Sequence, residues 1–140
     1  MVDISGKVAT SRQATVRGVL LLQEAHLSAI HGLPKGNALL TAQIAGIQGG
    51  KKAAELIPLC HPVTLTHLEV SVQLVEDKLE ILATASTDAP TGVEMEAYAA
   101  VVTAGITLID MLKGVDPDLT LTDVQLVSKI GGKQPYQRQP

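Results

Sequence analysis

Two aromatic residue types are missing from this chain: it has no Phe and no Trp, and only two Tyr. The core must therefore be built from Leu, Ile, Val and Ala, whose small side chains let elements approach closely. A module that reads RNA stacks bases on aromatic side chains of its sheet, and the chain lacks them. A single cysteine, Cys60, excludes an internal disulfide framework. A strong excess of charge of one sign is absent as well: the formal net charge is −3, so nothing favours general affinity for nucleic acid or membranes. The start is not signal-like and no apolar run of spanning length is evident, which leads to the expectation of a cytoplasmic protein. Walker and dinucleotide-binding loops, internal repeats and linkers are also lacking. What is there is a chain of 140 residues, suited to one domain over 1–140, with about 134–140 as a flexible polar tail. A core this thin is often completed by association of subunits.

One stretch organises the rest. Thr91 to Asp116 carries Glu94 and Glu96 at its front, Asp110 and Lys113 at its back, and an almost wholly apolar middle. A surface helix would show a broad charged face, so the pattern predicts a buried helix whose ends serve polar sites. Glu96, Thr103, Thr107 and Asp110 recur at helical spacing and share one narrow stripe. At 1.5 Å per residue, Glu96 and Asp110 stand about 21 Å apart, too far to form one acid pair within a chain. Thr91 is the expected N-cap with Glu94 as its capping-box partner, and Gly114 and Pro117 mark the end.

Upstream, alternation from Ala14 to Leu22 predicts a half-buried strand, with Arg12 at its start reading as a solvated edge charge. Gln23 to His31 predicts a short helix. Asn37 is placed to cap a second long helix reaching about Ile57, with Leu40, Ile44, Ile47, Ala54 and Ile57 as its apolar stripe and Lys51 on the same stripe. Gly46, Gly49 and Gly50 each weaken that helix by roughly 1 kcal/mol against alanine, which implies close approach to another element or another subunit. Pro58 to Pro62 is a stiff non-helical segment holding Cys60 and His61. Two alternating strands follow with a turn at Glu76-Asp77, and Leu119 to Ile130 reads as the last strand. Strand, helix, strand, strand, helix, strand is the split βαβ order of a ferredoxin-like α+β sandwich. The expected sheet has four antiparallel strands with both long helices on one face.

Four polar clusters could carry chemistry. Cys60-His61 reads as a structural cysteine beside a hydrogen-bonding histidine, or as a metal ligand or nucleophile. Glu94 and Glu96 favour a helix N-terminus whatever else they do. Asp110 with Lys113 could be an ordinary i, i+3 salt bridge. Arg12, Lys35, Lys51, Lys113, Lys129 and Lys133 could gather into a phosphate site or remain solvated charge. On these residues alone an enzyme and a regulatory ligand-binding domain of the same topology both stay open.

The strings I-P-L-C-H-P (57–62), T-G-V-E-M-E-A (91–97) and D-M-L-K (110–113) narrow the choice. With K-G-N, A-G-I-Q and the closing S-K-I-G-G-K, the chain resembles the cyclic pyranopterin monophosphate synthases, a family of molybdenum cofactor biosynthesis. The resemblance runs from Met1 to Lys133. It implies a ferredoxin-like fold and a homohexamer, a trimer of dimers with active sites between subunits. It implies a lyase converting 3′,8-cyclo-7,8-dihydroguanosine 5′-triphosphate to cyclic pyranopterin monophosphate with release of pyrophosphate. A radical S-adenosylmethionine GTP 3′,8-cyclase would supply the substrate. No redox cofactor is implied; Mg²⁺ is compatible with the substrate phosphates, and no ligand set argues for a protein-held metal.

Carried over by motif, Asp110 and Lys113 are the expected catalytic pair, joined by Lys35 of K-G-N. Leu59, Cys60, His61, Glu94, Met95 and Glu96 are expected around the substrate. Arg12 matches a basic position that meets the triphosphate, and Lys51 and Lys133 are further phosphate candidates. Cys60 is expected to line the pocket and to act neither as nucleophile nor as zinc ligand.

Overall fold

Alternation in β1 (Thr10–Leu21) turns Ala14, Val16, Gly18 and Leu20 inward, and the chain builds its core on that face. The computed structural model describes all residues, Met1–Pro140. After β1 come α1 (Glu24–Ala29), α2 (Ala38–Lys51), α3 (Ala53–Leu56) and a hairpin of β2 (Leu65–Val75) and β3 (Lys78–Ala89). The chain ends with α4 (Glu94–Leu112), β4 (Thr120–Ile130) and β5 (Tyr136–Gln137). The hairpin turns at Glu76, whose φ is +56°.

The sheet order is β2-β3-β1-β4-β5, and every neighbouring pair is antiparallel. The first four strands have the expected ferredoxin-like arrangement. β5 is an addition: Tyr136 and Gln137 pair with Lys129 and Ser128, where a frayed tail was expected. β1 is also central, so Arg12 is no edge charge. It is half-buried, and its side chain reaches the end of β3.

α2 and α4 pack together over the inner face of the sheet. The helix expected to run from Asn37 to about Ile57 breaks at Lys52, and α3 begins there. Its buried side also differs from the expected stripe. Leu40, Ile44 and Ile47 are exposed by 52%, 52% and 37%, while Ala38, Ala42, Gly46, Gly49 and Gly50 face inward. The cause is the separation of the helices. A methyl group on Gly46 would lie 3.0 Å from the Ala100 carbonyl oxygen, and one on Gly50 would lie 3.0 Å from that of Glu96. Only a small-residue face allows this approach, so the larger residues and Lys51 are turned outward.

α4 is the buried rod that the sequence predicts, with Ala97, Ala100, Val101, Ala104 and Leu108 fully covered. Its N-cap is Val93 and not Thr91; valine has no side-chain acceptor, so no capping bond forms, and Glu94 pairs with Lys129 instead. The expectation that no apolar run reaches spanning length needs correction too. α4 has 19 residues at a mean hydropathy of 1.4, but half of it is packed inside this domain.

Candidate active site

The last turn of α4 projects Asp110 and Lys113 to the same spot. Lys35 comes to meet them from the turn before α2. That turn is closed by the Gly36 amide donating to the Leu33 carbonyl (3.0 Å), and Gly36 adopts φ +105°. Asn37 then caps α2, accepting from the Leu40 amide at 3.1 Å. Lys35 Nζ donates to Asp110 Oδ2 at 2.8 Å, and Lys113 Nζ donates to Oδ1. These two ammonium groups, Lys113 first, hold the Asp110 carboxyl down to about 2. Asp110 is therefore an anion at neutral pH, bracketed by cations and open to solvent.

A second cluster lies at the other end of α4. Leu59, Cys60, His61, Thr91, Gly92, Glu94 and Met95 line a cavity of about 300 Å³. Behind it Glu96 is only 4% exposed, and its Oε2 has no hydrogen-bond partner. Burial, with a smaller contribution from the Glu94 charge, raises the Glu96 carboxyl above its ordinary 4.5. Burial and then the Glu96 charge raise the Cys60 thiol, whose Sγ lies 3.6 Å from the His61 carbonyl as donor. A thiol that resists ionisation is a poor nucleophile and a poor metal ligand. No group of three or more His, Cys, Asp or Glu side chains converges anywhere in the chain.

Beside this pocket is a larger basic cleft of about 670 Å³. Lys7, Arg12, Lys129 and Lys133 contribute its charge, and Thr10, Gly132 and Gln134 contribute small or polar surface. Arg12 is fixed by two bonds, Nε to the Ala89 carbonyl (3.0 Å) and Nη2 to that of Pro90 (3.4 Å). Four cations around one concavity attract phosphate oxygens. The cleft and the pocket meet at one ion pair, Lys129 Nζ to Glu94 Oε1 at 2.6 Å.

Of the residues singled out from the sequence, three groups assemble. Lys35, Asp110 and Lys113 form one; Leu59, Cys60, His61, Glu94, Met95 and Glu96 form another; Arg12 and Lys133 share the third. Lys51 joins none of them. It lines a separate groove of about 400 Å³ with Ile47, Thr66 and His67. Lys7 was not among the expected site residues, and Lys129 was named only among the bases that could gather at a phosphate site, although both line the basic cleft. Lys129 stands in S-K-I-G-G-K and alternation in β4 could have placed it near Arg12; Lys7 lies in a segment without periodicity, which gave no signal.

The fold and these groups define a class: an α+β sandwich that presents a Lys–Asp–Lys cluster at one end of its core helix and a basic cleft at the other. Comparison with known proteins makes this specific. The MoaC family model matches residues 1–132. A cyclic pyranopterin monophosphate synthase of Streptomyces avermitilis is 47% identical over 135 residues, covering 95% of this chain and 79% of the relative. One from Parvibaculum lavamentivorans is 48% identical over 139 residues, covering 95% and 86%. One from Peptoclostridium acidaminophilum is 39% identical over 142 residues, covering 99% and 90%. The chain belongs to the MoaC family.

Proposed function

We propose that the chain converts 3′,8-cyclo-7,8-dihydroguanosine 5′-triphosphate to cyclic pyranopterin monophosphate, releasing pyrophosphate, in molybdenum cofactor biosynthesis. The observation that carries this reading is the family match across residues 1–132, together with relatives of that name at 39–48% identity over nearly the whole chain.

The geometry fits the chemistry. Rebuilding a purine-derived ring as a pterin needs several proton transfers, each of which a positioned group accelerates by about 10²–10⁴-fold. Asp110, ionised between Lys35 and Lys113, orients the two ammonium groups and stabilises positive charge on the substrate, and the ammonium groups donate the protons. Glu96, with its raised pKa, supplies a carboxyl that holds a proton more readily than a surface glutamate. Leu59, Cys60, His61, Glu94 and Met95 surround the base-derived ring system. For the cyclic phosphate, a sugar hydroxyl attacks the innermost phosphorus. A new P–O bond forms as the hydroxyl proton passes to solvent, the bond to the bridging oxygen breaks, and pyrophosphate leaves with the electron pair. Arg12, Lys7, Lys129 and Lys133 stabilise that leaving charge. Lys51 is left outside this set. Mg²⁺ bound to the phosphates would add to the same stabilisation.

At a rise of about 1.5 Å per residue, Glu96 and Asp110 stand about 21 Å apart along the axis of α4. They work on one substrate only if a neighbouring subunit brings its Asp110 end to this chain's Glu96 end. A homohexamer, a trimer of dimers, would do this. The exposed Leu40, Ile44, Leu56, Leu59 and Ile106 support burial of further apolar surface. The reading also places the protein in the cytoplasm, receiving its substrate from a radical S-adenosylmethionine GTP 3′,8-cyclase. Incubating the purified protein with the cyclic dihydro-GTP tests the function. Cyclic pyranopterin monophosphate and pyrophosphate should appear in equal amounts; an unchanged substrate would refute it.

A further inference from the structure

Only two ionisable residues are buried, Glu96 and His26, and the chemistry above makes no use of His26. Its ring is fully covered, and each nitrogen has a backbone partner. Nδ1 accepts from the Gln23 amide at 2.9 Å, at the start of α1. That bond leaves the proton on Nε2, which donates to the Asp116 carbonyl at 2.7 Å. One imidazole thus ties α1 to the segment that follows α4.

The position of this tie matters for the site. Asp116 lies just beyond Lys113. On the other strand of the tie, α1 leads through the core residues Ile30 and Leu33 to Lys35. Lys35 and Asp110 are each about half exposed, with side-chain accessibilities of 55% and 51%. Exposed pairs of this kind gain little from their attraction and do not hold their own geometry. Their backbones must be set from elsewhere. We propose that His26 is a positioning residue: it fixes the Lys35 turn against the end of α4 and so keeps Asp110 between its two ammonium partners. A leucine would fill the same volume and favour the helix more; only a side chain with an acceptor and a donor at this spacing satisfies both backbone groups.

The inference rests on the reading of Asp110 as catalytic, and its test separates the two. His26→Gln retains a donor that reaches Asp116 and is the usual residue type at this place in a capping box. His26→Asn can accept from Gln23 but is too short for Asp116. The Asp110 carboxyl is titrated by carbon NMR in the full protein. In His26→Asn its midpoint should move up from about 2 toward the ordinary 3.8 as Lys35 departs. Turnover of the cyclic dihydro-GTP should fall about tenfold in kcat with KM changed less than about twofold. His26→Gln should restore both. An unmoved Asp110 titration in His26→Asn, or a Gln variant no better than Asn, overturns the proposal. A shifted titration in His26→Asn when the wild type itself turns over no substrate sustains the tie and counts against the functional reading instead. Should neither variant fold, the wild-type imidazole nitrogens decide: a proton on Nδ1 overturns the tie, and a proton on Nε2 alone sustains it.

Discussion

Lys129 Nζ lies 2.6 Å from Glu94 Oε1, and this single ion pair joins the basic cleft to the pocket of Cys60 and His61. Each side chain is about a quarter exposed, so the pair is less screened than a surface bridge. An arriving phosphate must compete with Glu94 for Lys129. Glu94→Gln removes that competitor. Tripolyphosphate, measured by titration calorimetry, should bind about three- to tenfold more tightly to the variant. Weaker binding would mean that Glu94 orders Lys129 for the phosphate and does not hold it back.

Gly132 makes room for Arg12. Its φ is +72°, and an added methyl group would lie 2.6 Å from Arg12 Nη1. Gly132→Ala should cost about 1–2 kcal/mol of folding stability from the left-handed backbone. It should also weaken tripolyphosphate about tenfold by displacing the guanidinium. Denaturant unfolding and calorimetry read the two effects separately.

The contact of α2 with α4 depends on glycine. In Gly50→Ala the new methyl group would be 2.6 Å from Leu68 Cδ2 and 3.0 Å from the Glu96 carbonyl. The leucine can yield; the backbone of α4 cannot. Overpacking should outweigh the better helix propensity of alanine, for a net loss of about 1–2 kcal/mol. The urea midpoint should fall at an unchanged m value. A gain in stability would mean that the two helices are not held at this separation.

Glu96 sets a pH dependence with a definite sign. Its pKa is raised above 4.5, so the folded state binds the proton more tightly than the unfolded state. The stability this gives is complete below 4.5 and is lost as pH rises through the raised value. Asp110 acts in the opposite sense. Its carboxyl is lowered to about 2, so its contribution is present above 3.8 and fades as pH falls toward 2. Denaturant midpoints at pH 5 and pH 8 should therefore differ less in Glu96→Gln than in the wild type. Equal differences in both proteins would show that Glu96 is not the group responsible.

The order of elements could be read from the sequence because strand alternation and the apolar stretch of α4 are strong local signals. The face that α2 buries could not. Leu40, Ile44 and Ile47 form the larger apolar stripe, yet the opposite face of alanine and glycine packs inward because α4 lies so close. That distance is a property of two helices together. β5 escaped notice because Tyr136 and Gln137 form a strand only by pairing with β4. In the site, Asp110 and Lys113 were visible as helix neighbours, whereas the approach of Lys35 required the turn at Gly36 and the docking of α1. Lys129 was visible as a charge, but its bond to Glu94 needed the crossing of β4 against the start of α4.

The most direct test asks whether the two ends of α4 from different chains complete one site. Asp110→Ala and His61→Ala are purified separately, then dissociated and reassembled as a mixture, and turnover of the cyclic dihydro-GTP is measured. Each parent should be inactive. With random mixing, a site built from two subunits is intact in about a quarter of cases, so the mixture should recover about a quarter of wild-type turnover. A mixture as inactive as its parents, or full turnover by Asp110→Ala alone, would contradict a composite site.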